Sequence, residues 1–209
     1  MNMQSPKNIQ IQDFSYQLPD EKIAKFPLAQ RDQSKLLIYQ NEEIKENIFE
    51  TIDAYLPNNS LLIFNNTKVV YARLLFQNQH GATIEFFCLE PANQLDVQQA
   101  MLVSQKATWN CLIGKAKKFK EDFLIQNKVI NHTEIELKVC LNERKDGFFE
   151  VEFSWNTELT FAEILNHFGN VPLPPYFKRD AEESDKTRYQ TIYAENDGSV
   201  AAPTAGLHF

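Results

Sequence analysis

Three short stretches set polar and ionisable groups among turn-forming residues in ways that could do chemistry. In APTAGLH, residues 202–208, a hydroxyl (Thr204), a glycine (Gly206) and an imidazole (His208) follow Pro203 within a few positions. An imidazole can take or give a proton near neutrality, a hydroxyl can hold one in place, and glycine lets the main chain come close to a ligand. PPYFKR, residues 174–179, puts Lys178 and Arg179 beside Tyr176. That grouping suits a phosphate and a stacked base, and would equally suit a rim salt bridge with Asp180, Glu182 or Glu183. FNNTKVVYARL, residues 64–74, places Asn65, Asn66 and Thr67 directly after an apolar run, with Arg73 further on. The amides and hydroxyl could bind a polar ligand at a strand's carboxyl end, or close an Asx-type turn on their own backbone.

A fourth feature is electrostatic. The chain carries a net charge of −7, which argues against nucleic-acid affinity spread over its whole surface. Residues 103–120 nevertheless hold five lysines, one tryptophan and no acid. Lys115, Lys117, Lys118 and Lys120 form either a basic patch for phosphates or the solvated face of a hairpin. The four histidines and three cysteines show no HxxxH or CxxC spacing, so no protein-bound metal is expected. Cys88, Cys111 and Cys140, each among apolar neighbours, read as buried free thiols. No run approaches the roughly 18 uncharged apolar residues of a membrane span, and the first residues lack a signal peptide's basic and apolar regions. A folded cytoplasmic protein is expected; 43% apolar residues, with 16 phenylalanines, suffice for a core.

The elements that must position these groups follow from periodicity. LPDEKIAKF reads as a short helix with acids in its first turn, SKLLIYQNEEIKENIF as two strands around a polar turn at residues 41–43, and SLLIF as a buried strand. From residues 74 to 153 the period becomes two, in short runs separated by Asn, Asp, Gly and Lys, as in an antiparallel barrel or sandwich. Helical spacing returns at Thr160. Thr160 and Glu163 form a capping box, Phe161, Ile164, Leu165 and Phe168 share a face, and Gly169 follows as a stop. NVPLPPYFKRD then predicts a rigid extended loop, and Ser184 is placed to cap a short helix carrying Tyr189.

Taken together, FNNTKVVYARL, LPPYFKRDAEESDKTRYQTIYA and GSVAAPTAGLHF closely resemble the S-adenosylmethionine:tRNA ribosyltransferase-isomerase family of queuosine biosynthesis. DFSYQLPDEKIAKFPLAQRDQSKLLIY fits that family's amino-terminal pattern, so the resemblance covers nearly the whole chain. It departs at Lys68, where the family more often has arginine, and at Tyr71, where proline is usual.

The resemblance implies an enzyme that moves and isomerises the ribosyl part of S-adenosylmethionine onto a 7-aminomethyl-7-deazaguanine at the tRNA wobble position. The product is epoxyqueuosine, and adenine and methionine leave. S-adenosylmethionine is then a substrate, no prosthetic group or metal is implied, and the partner is tRNA. His208 is expected in acid/base work with Thr204 as its hydroxyl partner. Asn65, Asn66, Thr67, Arg73, Tyr176, Lys178, Arg179, Tyr189, Gln190, Pro203 and Gly206 are expected to bind substrate, and Lys115, Lys117, Lys118 and Lys120 to meet tRNA phosphates.

The implied fold is mixed α+β: a larger α/β barrel-like domain from residues 1–73 and 154–209, interrupted by a small antiparallel β-barrel at 74–153. Family chains continue past the last residue here, so the larger domain is expected to be incomplete, to expose apolar surface, and to need its missing part for turnover. A monomer is expected at full length. Two other readings stand beside the enzyme: an RNA-binding fragment acting through the β-barrel, and a fragment that only associates through an open edge.

Overall fold

A computed structural model describes residues 9–92 and 95–209. The expectation about a signal peptide falls partly on residues 1–8, outside the described residues. The chain forms a mixed α+β fold with few helices, dominated by one antiparallel sheet of seven strands.

Before the sheet comes a hairpin, β1 (Lys35–Gln40) with β2 (Glu43–Ile48). Its two turn residues, Asn41 and Glu42, have φ of 52° and 63°, the positive pair that lets a two-residue turn follow the twist of its strands. Next are β3 (Thr67–Val69), β4 (Arg73–Gln77), β5 (Thr83–Pro91), helix α1 (Val97–Met101) and β6 (Lys106–Gly114). They are followed by β7 (Phe123–Ile130), β8 (Thr133–Arg144), β9 (Phe149–Trp155), helix α2 (Phe161–Phe168), β10 (Gly169–Asn170), helix α3 (Asp185–Arg188) and β11 (Asn196–Ser199).

The large sheet runs β10-β4-β5-β6-β9-β8-β7, every pairing antiparallel. Alternate residues point to one face: Leu74 and Phe76, Ile84 and Phe86, Trp109 and Cys111, Leu137 and Val139, Val151 and Phe153 are buried. The sheet curls until β4 approaches β7, with four strands between them in the order, giving a half-barrel. Helix α2 fills the hollow. Its capping box forms, with Thr160 N donating to Glu163 Oε2 at 2.8 Å, and Phe161 packs 5.2 Å from Trp109, 5.6 Å from Phe153 and 5.9 Å from Trp155. Burying such a ring stabilises by roughly 1.5–3 kcal/mol.

Cys88 and Cys111 lie opposite each other in β5 and β6, buried, free and 3.9 Å apart at sulfur. Burial, reinforced by the Cys88 hydrogen bond, pushes the Cys111 thiol well up, as for an inert packing residue. Cys140 is only half-buried, so the expectation of buried thiols holds for two of the three.

A second, smaller core joins both ends of the chain. β3 pairs in parallel with β11, Glu195 N donates to Asn66 O at 2.8 Å and Val70 N to Ser199 O at 2.9 Å. Val69, Val171, Tyr189 and Ala202 are buried there, with Leu173 and Leu207 against them.

Three local expectations are corrected. LPDEKIAKF makes only a 3-10 turn, Asp20–Lys22, because Pro27 disfavours helical geometry at Phe26 and three residues cannot sustain a helix. SLLIF forms no strand, with Leu61 and Ile63 85% and 89% exposed; among the described residues no strand pairs with its backbone. Ser184 makes no side-chain cap; instead Glu182 N donates to the Asp185 carboxylate at 2.8 Å. Gly169 ends α2 as expected, in extended geometry (φ −81°, ψ 167°). Its small size matters because a Cβ there would sit 1.9 Å from Tyr71 O and 2.5 Å from Leu165 O.

Candidate functional site

The terminal stretch is a 3-10 segment, Thr204–His208, held by Gly206 N donating to Pro203 O at 2.8 Å. Proline supplies the fixed entry and glycine the fit: a Cβ at Gly206 would lie 2.3 Å from Tyr193 Oη. Gly206 is therefore small because Tyr193 presses on it. This segment, the loop around the 3-10 turn Pro175–Phe177, helix α3 and the stretch of chain before β1 enclose a cavity of about 420 Å3. Thr204 and His208 line it together with Tyr176, Arg179 and Tyr189. The His208 ring also leans on Phe49, centroids 5.4 Å apart. Among the described residues neither Thr204 nor His208 makes a side-chain hydrogen bond to protein, so both polar groups remain available to a ligand.

A second cleft of about 770 Å3 shares Leu173, Arg179 and Tyr189 with the first, and adds Arg73, Glu85 and Lys178. Burial raises the Tyr189 phenol above its ordinary value, opposed by the Ala202 main chain, so Tyr189 stands neutral in the wall between two hollows.

Several cations expected to meet ligand are already paired. Arg179 forms a two-point pair with Asp185, donates from Nε to Lys25 O at 2.7 Å and lies 4.4 Å above the Phe26 ring. The partner is thus Asp185 rather than the nearer acids Asp180, Glu182 or Glu183. Lys178, with φ 50°, pairs with Asp20 across the chain and lowers that carboxyl. Arg73 pairs with Glu85 at 2.7 Å on the neighbouring strand.

The amide group does not reach either cavity. Asn65 Oδ1 accepts from Thr67 N at 2.9 Å and from the Thr67 hydroxyl, the Asx-type turn anticipated as an alternative. Asn66 ties to Glu195 through side chain and backbone. Gln190 clamps Val69, accepting from its N–H at 2.9 Å and donating to its carbonyl at 2.7 Å, so a side-chain amide stands in for a strand neighbour. Lys115, Lys117, Lys118 and Lys120 are exposed on the turn Ala116–Lys118 and around it, without ion pairs among the described residues, and line neither cavity.

Residues that pattern reading passed over complete the first cavity: Lys25, Arg31, Lys35 and Arg188. No sequence pattern marked them: residues 9–34 hold three cations against four acids, while Lys35 begins β1 and Arg188 ends α3. Arg31 donates to Leu207 O at 3.2 Å and to Thr187 O at 3.0 Å, fastening the amino-terminal stretch to the loop that carries His208. Arg188 donates to Leu28 O in return. Desolvation, then the nearby Arg188 charge, lowers the Arg31 pKa. Among the described residues no group of three or more His, Cys, Asp or Glu gathers as a metal set, and no helix is long and apolar enough to cross a membrane.

The family model described as "Queuosine biosynthesis protein" matches residues 11–209. A curated relative named S-adenosylmethionine:tRNA ribosyltransferase-isomerase, from Trichlorobacter lovleyi (strain ATCC BAA-1151 / DSM 17278 / SZ), is 35% identical over 201 residues, 95% of this chain and 53% of that protein. The chain thus spans about half the length of this relative. No solved structure matches it.

Proposed function

The chain belongs to the queuosine biosynthesis protein family, and on that premise we propose that it forms part of an S-adenosylmethionine:tRNA ribosyltransferase-isomerase. The reaction transfers and isomerises the ribosyl group of S-adenosylmethionine onto a 7-aminomethyl-7-deazaguanine at the wobble position of tRNA, giving epoxyqueuosine with release of adenine and methionine. S-adenosylmethionine serves as substrate rather than as a bound cofactor, tRNA is the partner, and the cytoplasm is the site of action. Residues 1–73 and 154–209 belong to the larger domain of that enzyme, and 74–153 to the inserted β-barrel.

The observation that carries the reading is the convergence of Thr204 and His208 with Tyr176 and Tyr189 on one cavity of about 420 Å3. The sulfonium of the donor acidifies the adjacent ribose carbon, and a base must take that proton. Departing adenine needs a proton or hydrogen bond at a ring nitrogen. His208 serves as the acid/base group, Thr204 holds the reacting atoms by its hydroxyl, and the tyrosine rings flank a purine. Arg73, Lys178 and Arg179 shape the walls through their ion pairs. Asn65, Asn66, Thr67 and Gln190 act one step removed, fixing β3 and β11 and hence the path into residues 200–208.

A second reading, RNA binding without chemistry, is favoured by the exposed lysines at 115, 117, 118 and 120. The test is to incubate the full-length protein that contains this chain with S-adenosylmethionine and a tRNA carrying the deazaguanine precursor, following adenine release and tRNA binding against salt. Adenine release that requires both substrates supports the enzyme. Salt-dependent binding with no adenine supports the second reading, and neither activity sinks both.

A further inference from the structure

The first cavity contains more positive charge than its ion pairs consume. Lys25, Arg31, Lys35, Arg179 and Arg188 line it against a single acid, Asp185, which Arg179 holds at two points. Among the described residues, Lys25, Arg31, Lys35 and Arg188 have no carboxylate within ion-pair distance. Arg31 and Arg188 are half-buried, yet both are fixed by main-chain carbonyls, Leu207 and Thr187 for one and Leu28 for the other.

Carbonyl oxygens orient a guanidinium without cancelling its charge, and two guanidiniums kept close repel. Arg31 reaches the residue next to Arg188, and its pKa is lowered first by desolvation and then by the Arg188 charge. Such an arrangement is stable with an oxyanion between or beside the two, which accepts the unused N–H groups and removes the repulsion.

We infer that Arg31 and Arg188, with the exposed Lys25 and Lys35, form an oxyanion-recognition site in the cavity that His208 lines. The inference rests on the proposed enzyme reading for the identity of the oxyanion: a phosphate of the RNA strand or the carboxylate of the methionyl donor. In either case the site anchors a charged part of a substrate while leaving the aromatic wall of Phe26, Tyr176, Phe177 and Tyr189 for an apolar or stacked part. It also moves the anion-binding role from Lys178 and Arg179, whose charges are paired, to residues far earlier in the chain and to Arg188 at the end of α3.

Calorimetric titration at low salt with 5′-AMP, adenosine, inorganic phosphate and L-methionine tests it. AMP binding at least about tenfold more tightly than adenosine, with that advantage lost in Arg188→Gln, supports a phosphate in the site. Competition by L-methionine but not by inorganic phosphate, again lost in Arg188→Gln, assigns the carboxylate. Because Arg31 also holds the fold, Lys35→Gln is the second variant. It makes no side-chain bond among the described residues and is expected to weaken anion binding severalfold with an unchanged urea midpoint. No binding of any anion by the unsubstituted chain, or equal binding by it and by Arg188→Gln, overturns the site. Anion binding as expected without any adenine release by the full-length protein would leave the site standing and count against the enzyme reading. Adenine release with unchanged KM for both substrates in Arg188→Gln would do the reverse.

Discussion

Arg179 and Asp185 meet at two points, Nη1 to Oδ2 at 2.7 Å and Nη2 to Oδ1 at 2.8 Å, with side chains only 12% and 4% exposed. The carboxylate also accepts Glu182 N at 2.8 Å, so one acid begins α3 and fixes the wall of both cavities. Removing one member of a buried pair leaves the other charge uncompensated. Asp185→Asn is therefore expected to lower stability by about 3 kcal/mol, read as a drop in the urea midpoint. An unchanged midpoint would show that the pair contributes nothing net.

The same pair sets a pH dependence. Hydrogen bonding from Arg179 holds the Asp185 carboxyl below its ordinary value, against the opposing effect of burial. A depressed folded pKa adds stability above the unfolded pKa, and that stability is lost as pH falls through the folded value. The chain should lose stability on acidification below about pH 4, and Asp185→Asn should show a shallower loss over that window. Parallel curves for the two proteins would contradict this assignment.

Gly169 is where α2 passes into β10, and main chain surrounds it. A side chain there meets Tyr71 O at 1.9 Å and Leu165 O at 2.5 Å, neither of which can swing aside as a flexible side chain would. Gly169→Ala should destabilise by about 3 kcal/mol, whereas Gly81→Ala, with nothing within 4 Å of the added carbon, should cost only its positive-φ strain of about 1 kcal/mol. Thermal unfolding of the two variants side by side gives the comparison.

In the full-length protein, His208→Ala is expected to reduce adenine release by about a hundredfold or more while far-UV circular dichroism stays unchanged. Loss of the imidazole's contact with Phe49 alone would alter stability and leave the rate per folded molecule intact, so rate and urea midpoint should be measured on the same preparation.

What the sequence made legible was local. The capping box at Thr160 and Glu163 needs only residues three apart, and the period-two runs of β5, β8 and β9 carry their own inside and outside. SLLIF has the composition of a buried strand, but a strand also requires partners on its edges, which composition does not encode. At the site, Thr204 and His208 were readable because they sit together on one short segment. Arg31 and its acceptor Thr187 lie 156 positions apart, in stretches without periodicity, so only the fold brings them together. Arg179 was visible as a cation, yet its partner choice depended on α3 turning Asp185 back towards it.

The parallel ladder between β3 and β11 has a kinetic consequence. Its members come from residues 67–69 and 196–199, whereas hairpins such as β4–β5 and β7–β8 in the large sheet close over short turns. Closing so long a loop in a disordered chain is slow and entropically costly. Once β10 has docked on β4, both arms leave from the same edge of a folded body, and the search is shortened. Refolding should therefore show sheet burial first, reported by Trp109 and Trp155, and ligand-competent structure around His208 in a later phase.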